Sequence, residues 1–149
     1  MILIEGACMR MSKRSEYGLK AAVRLAGHYG GGYLQSREIA ESERLPPKFL
    51  ESVLLSLRSA QILISKVGAG GGYRLSRAPG AIRVHEVIDA LERDEDREPG
   101  ETDPSAVGHR ALGVLHRRID DAVAGALGSL TLSELVEMSE PALATRRAV

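Results

Sequence analysis

The chain has 149 residues, is 44% apolar, and balances 20 Lys and Arg against 20 Asp and Glu, which suits one folded domain with an appendage better than two full domains. No apolar run approaches the roughly 18 residues of a membrane span, Glu5 interrupts Met1-Ile2-Leu3-Ile4 too soon for a secretory leader, and a single cysteine, Cys8, excludes an internal disulfide, so the expectation is a cytoplasmic protein with no membrane partner. The zero net charge hides an asymmetry: residues 11–83 carry 12 basic against 5 acidic side chains, net +7, and residues 84–149 carry 7 against 14, net −7, so the basic half either meets a polyanion or is a clustered solvated surface.

Residues 1–11 read as an N-terminal extension, with Met11-Ser12 as an alternative start. Four Tyr, one Phe and no Trp leave the core to Leu, Ile, Val and Ala, which suits helices packed on helices. A first helix is predicted over 15–29, with Leu19, Ala22, Val23 and Ala26 on one face and Gly30-Gly31-Gly32 ending it. Ser36 is the expected cap of a short second helix with Ile39 and Ala40 inward. Leu45-Pro46-Pro47 breaks the chain and opens a third helix to about Ala60, because proline is tolerated in a first turn. Its predicted buried stripe is Phe49, Leu50, Val53, Leu54 and Leu57. Lys48, Glu51, Ser52, Ser56 and Ser59 fall on the opposite face, where Leu55 also lies without a reason in the pattern.

Ile62 to Val67, a glycine-rich turn over 68–72, and Tyr73-Arg74-Leu75 read as a β-hairpin. Pro79-Gly80 is a turn, and Val84 to about Arg93 a fourth helix with Val87, Ile88 and Leu91 inward. Residues 94–103 hold no apolar side chain, and 94–104 are expected to be an exposed acidic linker. A long helix over 105–128 follows, with Leu112, Leu115, Ile119, Ala122 and Ala126 at the alternating spacing of packed helices. Thr131-Leu132-Ser133-Glu134 is a capping box opening a last short helix. The expected organisation is thus a first unit over 12–93, the linker, a long helix with a short C-terminal helix over 105–138, and a tail over 139–149.

Three helices and a glycine-tipped hairpin make a winged helix-turn-helix: a mainly α fold with a small β wing. The second helix of such a unit fits the major groove, and its first turns read bases. Here they offer Lys48, Glu51 and Ser52. Lysine reaches a guanine edge or a phosphate, glutamate accepts from cytosine, and serine pairs with several edges. Lys66, Gly70, Gly71, Gly72, Tyr73 and Arg74 would form the wing, its glycines letting backbone N–H groups approach phosphates. Ser12, Lys13, Arg14 and Tyr17, with Ser36 and Arg37, are candidates to hold the backbone.

Residues 12–93 resemble the winged-helix regulators of the BadM/Rrf-two (IscR-like) family. The resemblance lies in Ser15-Glu16-Tyr17-Gly18-Leu19-Lys20-Ala21, Ile39-Ala40, Leu45-Pro46-Pro47-Lys48-Phe49-Leu50-Glu51, Leu57-Arg58 and above all Gly70-Gly71-Gly72-Tyr73-Arg74-Leu75. It continues through Ile82-Arg83-Val84, Val87-Ile88-Asp89-Ala90-Leu91-Glu92 and Thr131-Leu132-Ser133-Glu134-Leu135. It implies a homodimer on double-stranded DNA, paired through the long helix at Leu112, Leu115, Ile119, Ala122, Val123 and Ala126. Such a dimer would bind a pseudo-palindromic operator, more often to repress, and an unidentified small-molecule effector is a further candidate partner. By position, Lys48, Glu51 and Ser52 look like base readers, and Lys13 and Tyr17 like phosphate contacts.

Two departures qualify it. Many members carry arginine just before the first wing glycine, where this chain has Val67 beside Lys66. The best-known members hold an iron–sulfur cluster on three cysteines after the fourth helix, yet residues 92–110 contain none, and the family's histidine position falls on Gly113. No cluster, cofactor or metal is therefore expected. His28, His85, His109 and His116 are scattered, and no thiolate joins them. No paired nucleophile and base or phosphate-binding loop is visible, so an enzyme is not expected. Other readings stay open: a solvated polar face on the third helix, Tyr17 and Tyr73 as packing residues with wet hydroxyls, and Arg58 as a structural clamp. A winged-helix protein-interaction module, or an effector- or metal-sensing regulator, remains an alternative to simple DNA binding.

Overall fold

Ser12 caps the first helix. Its hydroxyl accepts the Ser15 N–H at 3.1 Å and so satisfies one of the unpaired donors of a helix start. That cap places α1 at Lys13–Gly27, two residues earlier at each end than periodicity predicts. The computed structural model describes residues 11–95 and 103–140; the N-terminal extension, the middle of the acidic linker and most of the tail lie outside the described residues.

The second helix, α2, is Ser36–Glu43, and its cap is Gln35 rather than the predicted Ser36. Gln35 has extended backbone angles, so Ser36 is already helical, and Glu38 Oε2 accepts the Gln35 N–H at 2.8 Å. Arg44 then turns the chain in the left-handed region (φ 54°), and Pro46-Pro47 opens α3, Pro47–Ser59. The hairpin pairs β1 (Leu63–Lys66) with β2 (Gly72–Leu75), in the register Leu63 to Leu75 and Lys66 to Gly72. A single 3-10 turn, Pro79–Ala81, leads into α4 (Val84–Glu95), which continues two residues into the expected linker. The last helices are α5 (Val107–Leu127) and α6 (Leu132–Ser139).

Leu25, Ile39, Leu50, Leu54, Leu57, Ile62, Leu75, Ile82 and Leu91 form the core of the head, each almost fully buried. Gly18 lets α1 and α4 touch, since a Cβ there would sit 2.1 Å from a Leu91 methyl. The chain also returns to the head after α5. Leu132 N–H donates to Ile82 O and Val84 N–H to Leu130 O, both at 2.9 Å, and Leu132 is fully buried. Burying such a leucine is worth about 1.5–3 kcal/mol, so α6 closes the head although its sequence neighbours belong to the long helix.

Two packing expectations change. Phe49 is 37% exposed, not core; it lies beside Leu50 on the first turn of α3, and its ring meets Tyr17 edge-on at 5.3 Å. Ser56, expected on the solvated face, is buried because it accepts the Arg14 guanidinium of α1. Ile88 packs against the core as expected, half-buried, and also lines the groove between α4 and α5. Leu55 does lie out in solvent, 50% exposed.

Candidate nucleic-acid interface

Two elements project from the basic head: the start of α3 and the tip of the hairpin. Pro46 and Pro47 fix where α3 begins, and Leu50, Val53, Leu54 and Leu57 anchor its inner face. Lys48, Glu51 and Ser52 then stand exposed on its first turns. Ser52 is held more firmly than its neighbours, because Arg14 Nη1 donates to its Oγ at 3.1 Å. With that lone pair occupied beside a guanidinium, the hydroxyl is best suited to donate to an acceptor.

The hairpin tip depends on two glycines. A Cβ at Gly71 would lie 2.2 Å from Lys66 O, and one at Gly72, where φ is +134°, 2.2 Å from Leu34 O. Gly72 thus allows the hairpin to be stitched to the loop before α2. Leu34 N–H donates to Tyr73 O at 2.9 Å, and Tyr73 N–H to Leu34 O at 2.7 Å. Lys66, Arg74 and Gly70 are exposed, Tyr73 half-buried, and Gly71 buried. Val67 stands 96% exposed at the tip.

The remaining predicted contacts divide. Lys13 is exposed, 3.5 Å from Glu16 and 6.0 Å from the Tyr17 ring centroid. Tyr17 is half-buried against Phe49 and so ties α1 to the start of α3. Ser12 donates its hydroxyl proton to Glu92 Oε1 at 2.9 Å, a bond that serves the fold. Ser36 is half-buried at the start of α2. Arg37 is 85% exposed and pairs with Glu41 one turn on, a surface pair that costs little to break. Sequence reasoning missed Tyr33, whose ring faces Arg74 and Lys66; a lone aromatic in an aperiodic loop carries no signal until the hairpin is placed beside it.

The dimer candidates lie on α5. No residue of α5 is buried. Leu112 and Leu115 are 54% and 52% exposed, and Val107 and Val114 join them. Ala122 and Ala126 are also exposed, whereas Ile119 and Val123 are half-buried in a groove of about 770 Å³ shared with Ile88, His85, Asp89 and Glu92 of α4.

The chain matches the Rrf2 family model, described as "Iron-dependent Transcriptional regulator", over residues 11–138. The chain belongs to the Rrf2 family. It is 33% identical to the HTH-type transcriptional regulator CymR of Bacillus subtilis over 139 residues, covering 89% of this chain and 93% of that one. It is 31% identical to the regulator IscR of Xenorhabdus nematophila over 134 residues, 89% of this chain and 82% of the relative. Its fold matches the structure of T. potens IscR with a TM-score of 0.66 at 30% identity, covering 91% of each chain. The structure of CymR, "the Global Cysteine Regulator of B. subtilis", also gives 0.66, at 32% identity over 87% of this chain and 98% of that one. This Rrf2 protein is therefore a winged helix-turn-helix, DNA-binding transcriptional regulator, and its relatives are regulators rather than enzymes.

The iron in the family's description would need a set of donors that this chain lacks in cysteine. A thiolate-held cluster needs several cysteines, and the sequence has one, Cys8, which lies outside the described residues. No group of three or more His, Cys, Asp or Glu is placed to hold a metal among the described residues. The segment between α4 and α5 does not fit such a cluster. No helix among the described residues is long and apolar enough to cross a membrane.

Proposed function

We propose that this Rrf2 protein acts in the cytoplasm as a homodimeric repressor that binds a pseudo-palindromic operator through two winged-helix heads. The observation that carries the reading is the pairing of an exposed polar start of α3 with a glycine-tipped basic hairpin on one head. Lys48, Glu51 and Ser52 read base edges; Lys66, Arg74 and the Gly70–Gly72 backbone meet phosphates, with Lys13, Arg37 and Tyr17 at the margins. The head over 12–93, completed by α6, is the DNA-binding unit. The exposed leucines of α5 pair with those of a second copy, since single chains rarely leave so apolar a helix face to water. The two heads then lie about one helical turn apart. An effector would act by favouring one spacing of the heads over another.

The test is titration into a labelled duplex from upstream of the protein's own gene, beside a scrambled duplex, at several salt concentrations. A preference of about a thousandfold or more, with affinity falling steeply as salt rises, is expected. Affinity independent of salt would overturn phosphate contact. It would favour a protein-interaction module, a reading to which the 96% exposure of Val67 at the hairpin tip lends some support.

A further inference from the structure

Among the described residues, Tyr33 is the ring that faces two cations. The Arg74 guanidinium carbon lies 4.7 Å from its centroid and the Lys66 ammonium 6.0 Å away. One cation comes from each strand of the hairpin. In the observed register Ile64 opposes Arg74 and Lys66 opposes Gly72, so Lys66 and Arg74 share a face as diagonal neighbours. Such neighbours are about 7–8 Å apart, close enough for two positive charges to repel. A tyrosine face is electronegative and attracts both.

The ring is also fixed in place. The next residue, Leu34, is bonded in both directions to Tyr73 of β2, an approach that only glycine at position 72 permits. Tyr33 is half-buried, while Lys66 and Arg74 remain exposed. The loop before α2 thus holds an aromatic surface against the hairpin, with the cations lying on it.

We propose that Tyr33 is a positioning residue for DNA binding, whose ring gathers Lys66 and Arg74 on one face of the hairpin before DNA arrives. The inference rests on the reading of the hairpin as a phosphate-binding wing. Ordering long side chains is a cost of association, and a ring that orders them in the free protein reduces it. Removing the ring leaves the number of charges unchanged, so it lowers affinity without changing the salt dependence.

The experiment is a mutant cycle on the full chain, read as affinity for a fluorescent duplex of mixed sequence at several salt concentrations. Tyr33→Leu is expected to weaken binding roughly threefold to tenfold with the salt slope unchanged. Tyr33→Phe, which keeps the ring, stays close to wild type. In a Lys66→Ala/Arg74→Ala background, itself reduced in salt slope by about two, Tyr33→Leu has no further effect. An equal loss in both backgrounds would overturn the inference, and so would a Tyr33→Phe defect as large as that of Tyr33→Leu. A damaged fold would weaken both backgrounds alike and falls under the first of these. Failure of the wild-type chain to bind any duplex at low salt would overturn the wing reading itself, and this inference with it.

Discussion

The head and the long helix solve the same problem in opposite ways. In the head, α1 to α4, the hairpin and α6 turn their leucines and isoleucines inward until Leu50, Leu54, Leu57 and Leu91 are sealed from water. In α5, a helix of 21 residues, none is buried, and Leu112 and Leu115 are more than half exposed. A helix gains most of its stability from packing an apolar face. The head therefore seals its own apolar face, whereas α5 leaves much of its apolar face in water. On the proposed function, that difference would separate the unit that reads DNA from the one that pairs two copies.

The largest effect should come from placing charge on that exposed face of α5. Leu112→Asp/Leu115→Asp is expected to convert a dimer into a monomer by light scattering, with the helical signal of the head retained. Losing the second head removes an avidity gain of about 10² to 10⁴ on a two-site operator. A double variant that stays dimeric would refute the assignment of that face. Leu54→Ala is the converse. It opens a cavity in a sealed core and should cost about 2–5 kcal/mol in denaturant unfolding, while the protein that remains folded keeps its dimer mass.

These paired tests also mark what the sequence makes legible. Periodicity located α3 and α5 because leucines recur every three or four residues, and glycines bracketed the hairpin because few other residues suit its turn. Periodicity does not distinguish a stripe sealed in its own core from one left exposed, so Leu54 and Leu115 look alike until the fold buries the first and leaves the second in water. Capping was misread at Ser36, since a glutamine one residue earlier took the extended conformation and left serine inside the helix. Leu132 belongs to a capping box on paper, but only the bonds to Ile82 and from Val84 to Leu130 reveal that it returns to the head. Ser52 was legible as an exposed polar residue, and its link to Arg14 was not, because 38 residues separate them.

Within the head, a smaller contrast divides the start of α3 from the hairpin. Ser52→Ala and Lys48→Ala should change the preference among operator sequences by about 1–3 kcal/mol. Lys66→Ala should weaken all sequences alike and lower the salt slope by about one. Competition titrations with single-base operator variants separate the two. A Lys66 variant with altered base preference would show that the wing reads sequence as well as charge.

The smallest effect sits in the turn that leads into α5. Asp103 accepts from the Ser105 side chain at 2.7 Å and from the Ser105 N–H at 2.9 Å. The side-chain bond foremost, then the backbone bond, holds its carboxyl below the ordinary aspartate range. Because the folded-state value is depressed, the stabilisation is fully present above the unfolded pKa and is lost as pH falls through the lowered one. Near neutrality the carboxylate is already ionised, so this contact adds no pH dependence to DNA binding there. Carboxyl NMR titration should place the Asp103 midpoint below that of a free aspartate, and Ser105→Ala should move it back up. A midpoint unmoved by Ser105→Ala would mean that the Ser105 hydroxyl does not set the carboxyl's acidity.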